Sequence, residues 1–264
     1  MKLNNNKNIG NVLFIVEGEK SEFAILKHIF KHILNYSLIT KNRHQTDFEQ
    51  YKSNANPHST VAIINTQQSN IKYVGESGDD YLDVLYEELI NKYDFEIDNA
   101  WVFFLFDRDH HSNKNPEFIK KLIGTLRNPL DNGEIRAGEL LLSYPGIEAY
   151  KLSCAEVDVH LINDDLPQDK KIVVCNQLKP FVAAKGLGNI QTFNSDNILN
   201  ACNEFLKYLI YTNNNFDSNT DLDDFSSKSL QIFNIQEDNL SNKGYNDFFS
   251  MLSLAFLQLG ILEL

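Results

Sequence analysis

The 264-residue sequence predicts an α/β protein: a mainly parallel sheet flanked by helices, with a mostly helical C-terminal lobe. Three observations carry this. Continuous apolar, β-rich runs recur at 12–16 (VLFIV), 60–66 (TVAIINT), 100–106 (AWVFFLF) and 139–146 (ELLLSYPG), as in strands buried on both faces. Helix-length segments separate them, giving the order β-α-β-α-β-α-β, and such crossovers join parallel strands. From about residue 155 the texture changes, with more Asn, Asp and Ser and helix candidates at 196–211 and 245–262. These point to a domain over 1–155 and a helical region over 156–264.

The first run ends abruptly at Glu17-Gly18, and Phe23, Leu26, Phe30, Ile33 and Leu34 then repeat at helical spacing. That reads as strand, tight turn, helix. Residues 35–60 are polar and read as a long connection or small insertion. After the second strand, "GESGDD" supplies a turn and acidic helix-starting residues, which suit the positive end of a helix dipole. Leu82, Leu85, Leu89 and Tyr93 then form one helix face. Residues 100–106 are the strongest strand and end at Asp107. Residues 116–127 make a short helix with Pro in its first turn, and 139–146 give a fourth strand. "TNNNFDSNTDLDDFSSKS", 212–229, reads as a polar loop. The apolar end, "MLSLAFLQLGILEL", is too short to cross a bilayer, which takes ~20 apolar residues; it is expected to dock as a terminal helix on the core.

Composition narrows the function. A net charge of −12 argues against nonspecific coating of nucleic acid, which runs on Lys and Arg neutralising phosphates. It leaves room for an enzyme that reaches a phosphodiester through bound cations and a local basic patch. Cys154, Cys175 and Cys202 are far apart, odd in number and without C-x-x-C spacing, so neither a zinc site nor a disulfide framework is implied, and a reducing cytoplasm fits best. The start, MKLNNNKNIG, lacks the apolar stretch of a secretory signal. No G-x-x-x-x-G-K-[ST] occurs, and the Gly75-x-x-Gly78 turn is no phosphate loop, so ATP hydrolysis by that route is not expected.

The chemistry concentrates at two strand ends. In "FLFDRDHH", Asp107 and Asp109 are two apart, so extended backbone turns them to one side and Arg108 to the other. Two close carboxylates repel unless a cation sits between them. A hard divalent ion such as Mg²⁺ takes oxygen ligands and commonly uses one or two carboxylates plus substrate phosphate. Glu17, some ninety residues earlier, also ends a buried strand, and ligands of such sheets bind beyond the strands' carboxyl ends. Three acids could then divide metal holding and proton transfer among them. Gly18 lets the backbone turn sharply beside a ligand. A D-x-D alone usually marks a solvated loop; the pairing with a second strand-end acid is more specific.

V-E-G-E-K-S-E at 16–22 followed by an apolar strand and D-x-D resembles the Toprim catalytic domain shared by type IA topoisomerases, DnaG-type primases, small Toprim nucleases and the overcoming-lysogenization-defect nucleases. "IVEGEKSE", "FDRDHH" and "LSYPGIEAYKL" are most similar to the RloB-like, abortive-infection Toprim group. Its third element, S-N-P-x-F-E-x-W, is matched by Ser143, Pro145, Glu148 and Tyr150, with Tyr144 and Ile147 departing from it. The resemblance covers roughly 10–155. It implies a Toprim-like fold and a Mg²⁺ (or Mn²⁺)-dependent nuclease of anti-phage defence. Glu17 would be the general acid/base and also a metal ligand, Asp107 and Asp109 metal ligands, and Glu148 a further ligand.

Among other residues, Lys20 is a candidate to touch the scissile phosphate and His111 a candidate proton carrier. The bland alternative puts Glu19, Lys20 and Glu22 on the exposed face of a first helix turn, and for Glu22 that is the expectation. Arg108, Lys114, Lys120, Lys121 and Arg127 form a basic run, mostly solvated on a helix; "KPFVAAKGLG", 179–188, is a second basic segment. Expected partners are RNA or DNA as substrate, a defence ATPase or other genomic-neighbour protein that holds the chain silent, and a second copy of the chain; no membrane is expected. A D-x-D glycosyltransferase is the rival enzyme, though it leaves Glu17-Gly18 unexplained.

Overall fold

The computed structural model describes residues 1–264 except 19, 44–45, 67–68, 78, 112, 131–137, 156–173, 214–215, 218–221 and 223–224, and it is α/β. The chain divides into two compact units, one of residues 4–106 and 117–140, the other of 1–3, 107–116 and 141–264.

One sheet runs in the order β3 (36–43), β4 (46–53), β5 (60–66), β2 (11–16), β6 (101–107), β8 (138–144), β7 (127–128), and all of it but the last residues of β6 and β8 belongs to the first unit. Its centre is parallel: β2 (Asn11–Val16) lies between β5 (Thr60–Thr66) and β6 (Trp101–Asp107), with Phe14 opposite Ile63 on one side and Phe103 on the other. Val12 to Val16 are wholly buried, as the unbroken apolar run requires of a strand covered on both faces. Phe14 stacks on Phe103 at 5.4 Å between ring centroids and meets Phe30 at 6.0 Å.

Helix α1 (Ser21–Lys27) follows β2 and runs into a π-helical turn, His28–Ile33, closed by the Leu34 N–H on the Ile29 carbonyl. Asn35, at φ 60°, ends it; Asn is among the few residues that tolerate this left-handed conformation. The stretch read as a long connection or small insertion over 35–60 forms a hairpin, β3 (Tyr36–Arg43) and β4 (Thr46–Ser53), antiparallel to each other, with β4 antiparallel to β5. Its apolar content is thin because β3 is an edge strand, where exposed Lys41 is a residue type that discourages edge-to-edge association. Phe48 and Tyr51 of β4 are fully buried.

Helices α2 (Ile71–Ser77) and α3 (Asp79–Tyr93) follow β5. Gly75 therefore sits within a helix rather than in a turn, and a Cβ there would collide with the Phe118 ring. Gly78 lies outside the described residues, as does the side chain of Leu82; Leu85, Leu89 and Tyr93 form the expected buried face. Helix α4 (Pro116–Thr125) buries Ile119, Leu122 and Ile123; then come β7 (Arg127–Asn128) and β8 (Gly138–Tyr144).

In the second unit, β9 (Phe249–Ser250) pairs with the end of β8, and β1 (Lys2–Leu3) with β10 (Leu262–Glu263). The rest is helical: α5 (Glu148–Ser153), α6 (Val174–Ala184), α7 (Ser195–Thr212), α8 (Ser226–Lys243) and α9 (Leu252–Gln258). Asn194 caps α7 through the N–H groups of Asp196 and Asn197, while Asn197 returns a bond to the Asn194 N–H. Helix α8 overturns two expectations, because it starts inside the polar stretch read as a loop and the single helix expected over 245–262 is only the shorter α9. Its buried positions are Ser229, Ile232, Phe233 and Gln236, a face half polar in sequence. Gln236 is satisfied there by the Tyr208 hydroxyl and by the backbone of Asp247. Residues 251 to 257 are buried, so the apolar C-terminal stretch is core. Among the described residues no helix is long and apolar enough to cross a membrane.

Candidate metal centre

Strand β2 ends where its apolar run ends. The register sets Val16 opposite Leu105, and the Glu17 N–H donates to the Leu105 carbonyl at 3.4 Å. In sequence Asp107 follows Leu105 by two residues and is the last residue of β6, as Glu17 is the first residue after β2. The backbone at Glu17 is held from the other side by Asn65 of β5, whose side-chain amide donates to the carbonyls of Val16 (2.8 Å) and Glu17 (2.6 Å). Asn65 is buried, and sequence reasoning missed it; the signal was a lone amide next to the last position of an apolar strand.

Gly18 permits a close approach. A Cβ on it would land on the carboxylate of Glu22, which is only 3% exposed. The expectation of a solvated Glu22 is therefore wrong. Glu22 lies in the first turn of α1, where the helix dipole favours a negative charge, and it folds back over the glycine. Lys20 is exposed at the start of α1, and Glu19 lies outside the described residues.

Asp107, half-buried, accepts a hydrogen bond from the Ile147 N–H at 2.8 Å through Oδ1. Its Oδ2 lies 3.0 Å from where a Cβ on Gly146 would stand, so the glycine leaves room for that oxygen. Asp109 is half-buried and accepts from the His111 N–H at 2.9 Å, a short turn that fixes the carboxylate against its own backbone. Arg108 corrects the expectation of a solvated basic run: it is 1% exposed and faces away, toward Glu237. His111 is exposed. The His110 ring lies tilted against it, 4.0 Å between ring centroids, and its Nδ1 is buried without a hydrogen-bond partner among the described residues. Burial holds the His110 imidazole below its ordinary pKa, His111 and Arg108 push the same way, and Asp109 opposes them. Glu148 opens α5, is 4% exposed and pairs with Lys179 of α6 at 3.5 Å.

Asp107, Asp109 and Glu148 thus belong to the second unit and Glu17 to the first. Among the described residues no group of three or more His, Cys, Asp or Glu side chains is gathered as a metal-binding cluster. Within the second unit Asp107 and Asp109 are nonetheless carboxylate donors, the kind Mg²⁺ selects, and Mg²⁺ is commonly held by one or two of them with water and phosphate completing the shell.

Comparison of the chain with protein-family models, with curated proteins and with solved structures returns no match.

Proposed function

We propose that the chain is a divalent-cation-dependent nuclease of Toprim type that hydrolyses phosphodiester bonds in RNA or DNA. One observation supports this above the others: β2 and β6 pair in parallel through Val16 and Leu105, and in sequence an acid closes each apolar run, Glu17 after the first and Asp107 at the end of the second. Asp107 and Asp109 hold Mg²⁺ or Mn²⁺, and Glu17 moves the proton at the attacking or leaving oxygen. The bound cation supplies an activated water and charge neutralisation at the phosphate. Glu148 is the further ligand assigned by resemblance, and its ion pair with Lys179 competes for the same carboxylate. Lys20, exposed beside Gly18, is the side chain available to a substrate phosphate; His111 is a proton carrier at the loop surface. An anti-phage role in the cytoplasm and a silencing partner such as a defence ATPase rest on the resemblance alone.

The test is direct. Purified protein is incubated with total RNA and with chromosomal DNA in Mg²⁺, with and without chelator. One of the two is expected to be cut, chelator to stop the cutting, and Glu17→Gln to lower the rate by about 10²–10⁴, the contribution of a positioned proton-transfer group. Full activity in Glu17→Gln, or none in the wild type toward either polymer, contradicts the proposal. Selective stabilisation by nucleotide sugars would favour the glycosyltransferase instead.

A further inference from the structure

Arg108, between the two aspartates, is the largest fully buried side chain among the described residues. A guanidinium taken out of water needs charge and hydrogen bonds in return. Glu237 of α8 supplies both in a two-bond fork, Nε to Oε1 and Nη2 to Oε2, each 2.9 Å. Nη1 donates to the Asn113 carbonyl at 2.9 Å. The Arg108 N–H donates to the Ser143 carbonyl at 2.8 Å, and the Asn113 N–H returns to the Asp109 carbonyl at 3.0 Å. Phe233, one turn before Glu237 on the same helix, lies 5.6 Å from the guanidinium. Asp109 and Asn113 are therefore tied to the Arg108 side chain through the Asn113 backbone, and that side chain is bonded to α8. All these contacts lie within the second unit.

A fork fixes orientation as well as distance, which a single ammonium contact does not. Its address matters, since both neighbours of the locked residue are candidate metal ligands. We propose that Glu237 is a positioning residue: by locking Arg108, helix α8 fixes the backbone from which Asp107 and Asp109 project, and so sets their affinity for a divalent cation. This rests on the metal-dependent reading given above.

Two variants test it, Glu237→Gln and the pair Arg108→Met with Glu237→Met. The pair removes the charge together with its partner and keeps apolar volume, a replacement that buried ion pairs often tolerate. In metal-free protein, amide hydrogen exchange at Arg108, Asp109 and Asn113 is expected to quicken at least tenfold in the pair, with β2 unchanged. Calorimetric titration with Mn²⁺ is expected to show at least tenfold weaker binding in both variants, and kcat is expected to fall while KM for an oligonucleotide holds. Unchanged exchange, or unchanged Mn²⁺ affinity where the wild type binds, overturns the role of Glu237 and leaves the nuclease reading standing. A wild type that binds no Mn²⁺ overturns both.

Discussion

Gly18 and Glu22 show what single residues decide at this site. The space a Cβ would need is filled by the Glu22 carboxylate. Gly18→Ala is therefore expected to cost about 1–3 kcal/mol, the usual range for overpacking. The double variant Gly18→Ala with Glu22→Ala should recover part of that, and urea titration of the two separates the collision from loss of the glycine itself. Asn65 is the second case. Asn65→Ala takes the amide donor away from the Val16 and Glu17 carbonyls, at about 1–3 kcal/mol. On the proposed nuclease reading it should also lower Mg²⁺-dependent cleavage, because the Glu17 backbone loses one of its holds. Cleavage at the wild-type rate in a folded Asn65→Ala would show that this hold does not matter. The sequence displays Glu17, Asp107 and Asp109 because each punctuates an apolar run. It hides Asn65, the burial of Glu22 and the inward turn of Arg108, because those depend on partners 48 or more residues away or, for Glu22, on how a helix turn folds back.

At the scale of elements, β2 is the strand whose register carries the functional argument. Phe14 at its middle is fully buried between Phe103 and Phe30. Phe14→Ala is expected to cost about 3–5 kcal/mol, and the measure is the shift in urea midpoint at constant slope. β2, β5, β6 and β8 were all legible as unbroken apolar runs. The β3–β4 hairpin was not, since an edge strand has one flank to bury and can carry Lys, Arg and Asn along its length. Helix α8 was not legible either. Its inner face includes Ser229 and Gln236, and polar residues become core residues only through specific bonds such as those of Gln236 to Tyr208 and Asp247.

For the molecule as a whole, the cysteines offer a reporter that needs no assumption about function. Cys154 and Cys202 are buried free thiols. Burial pushes the Cys202 thiol up to about 12 and moves Cys154 further the same way. Only the thiolate reacts readily, so in a Cys175→Ser background both should resist alkylation at pH 8 until the protein unfolds. Rapid labelling in the native protein would contradict their placement in the core. The α/β class was readable from composition and periodicity. The net charge of −12 fits substrate contact confined to a small site rather than spread over a basic face. The account stands or falls on whether Glu17 and the D-x-D serve one ion. Mn²⁺ titration followed by electron paramagnetic resonance, on the wild type, Glu17→Gln and Asp107→Asn, tests this most directly. Weakened binding in both variants is the predicted result; wild-type binding in Glu17→Gln, with binding lost only in Asp107→Asn, would contradict a shared centre.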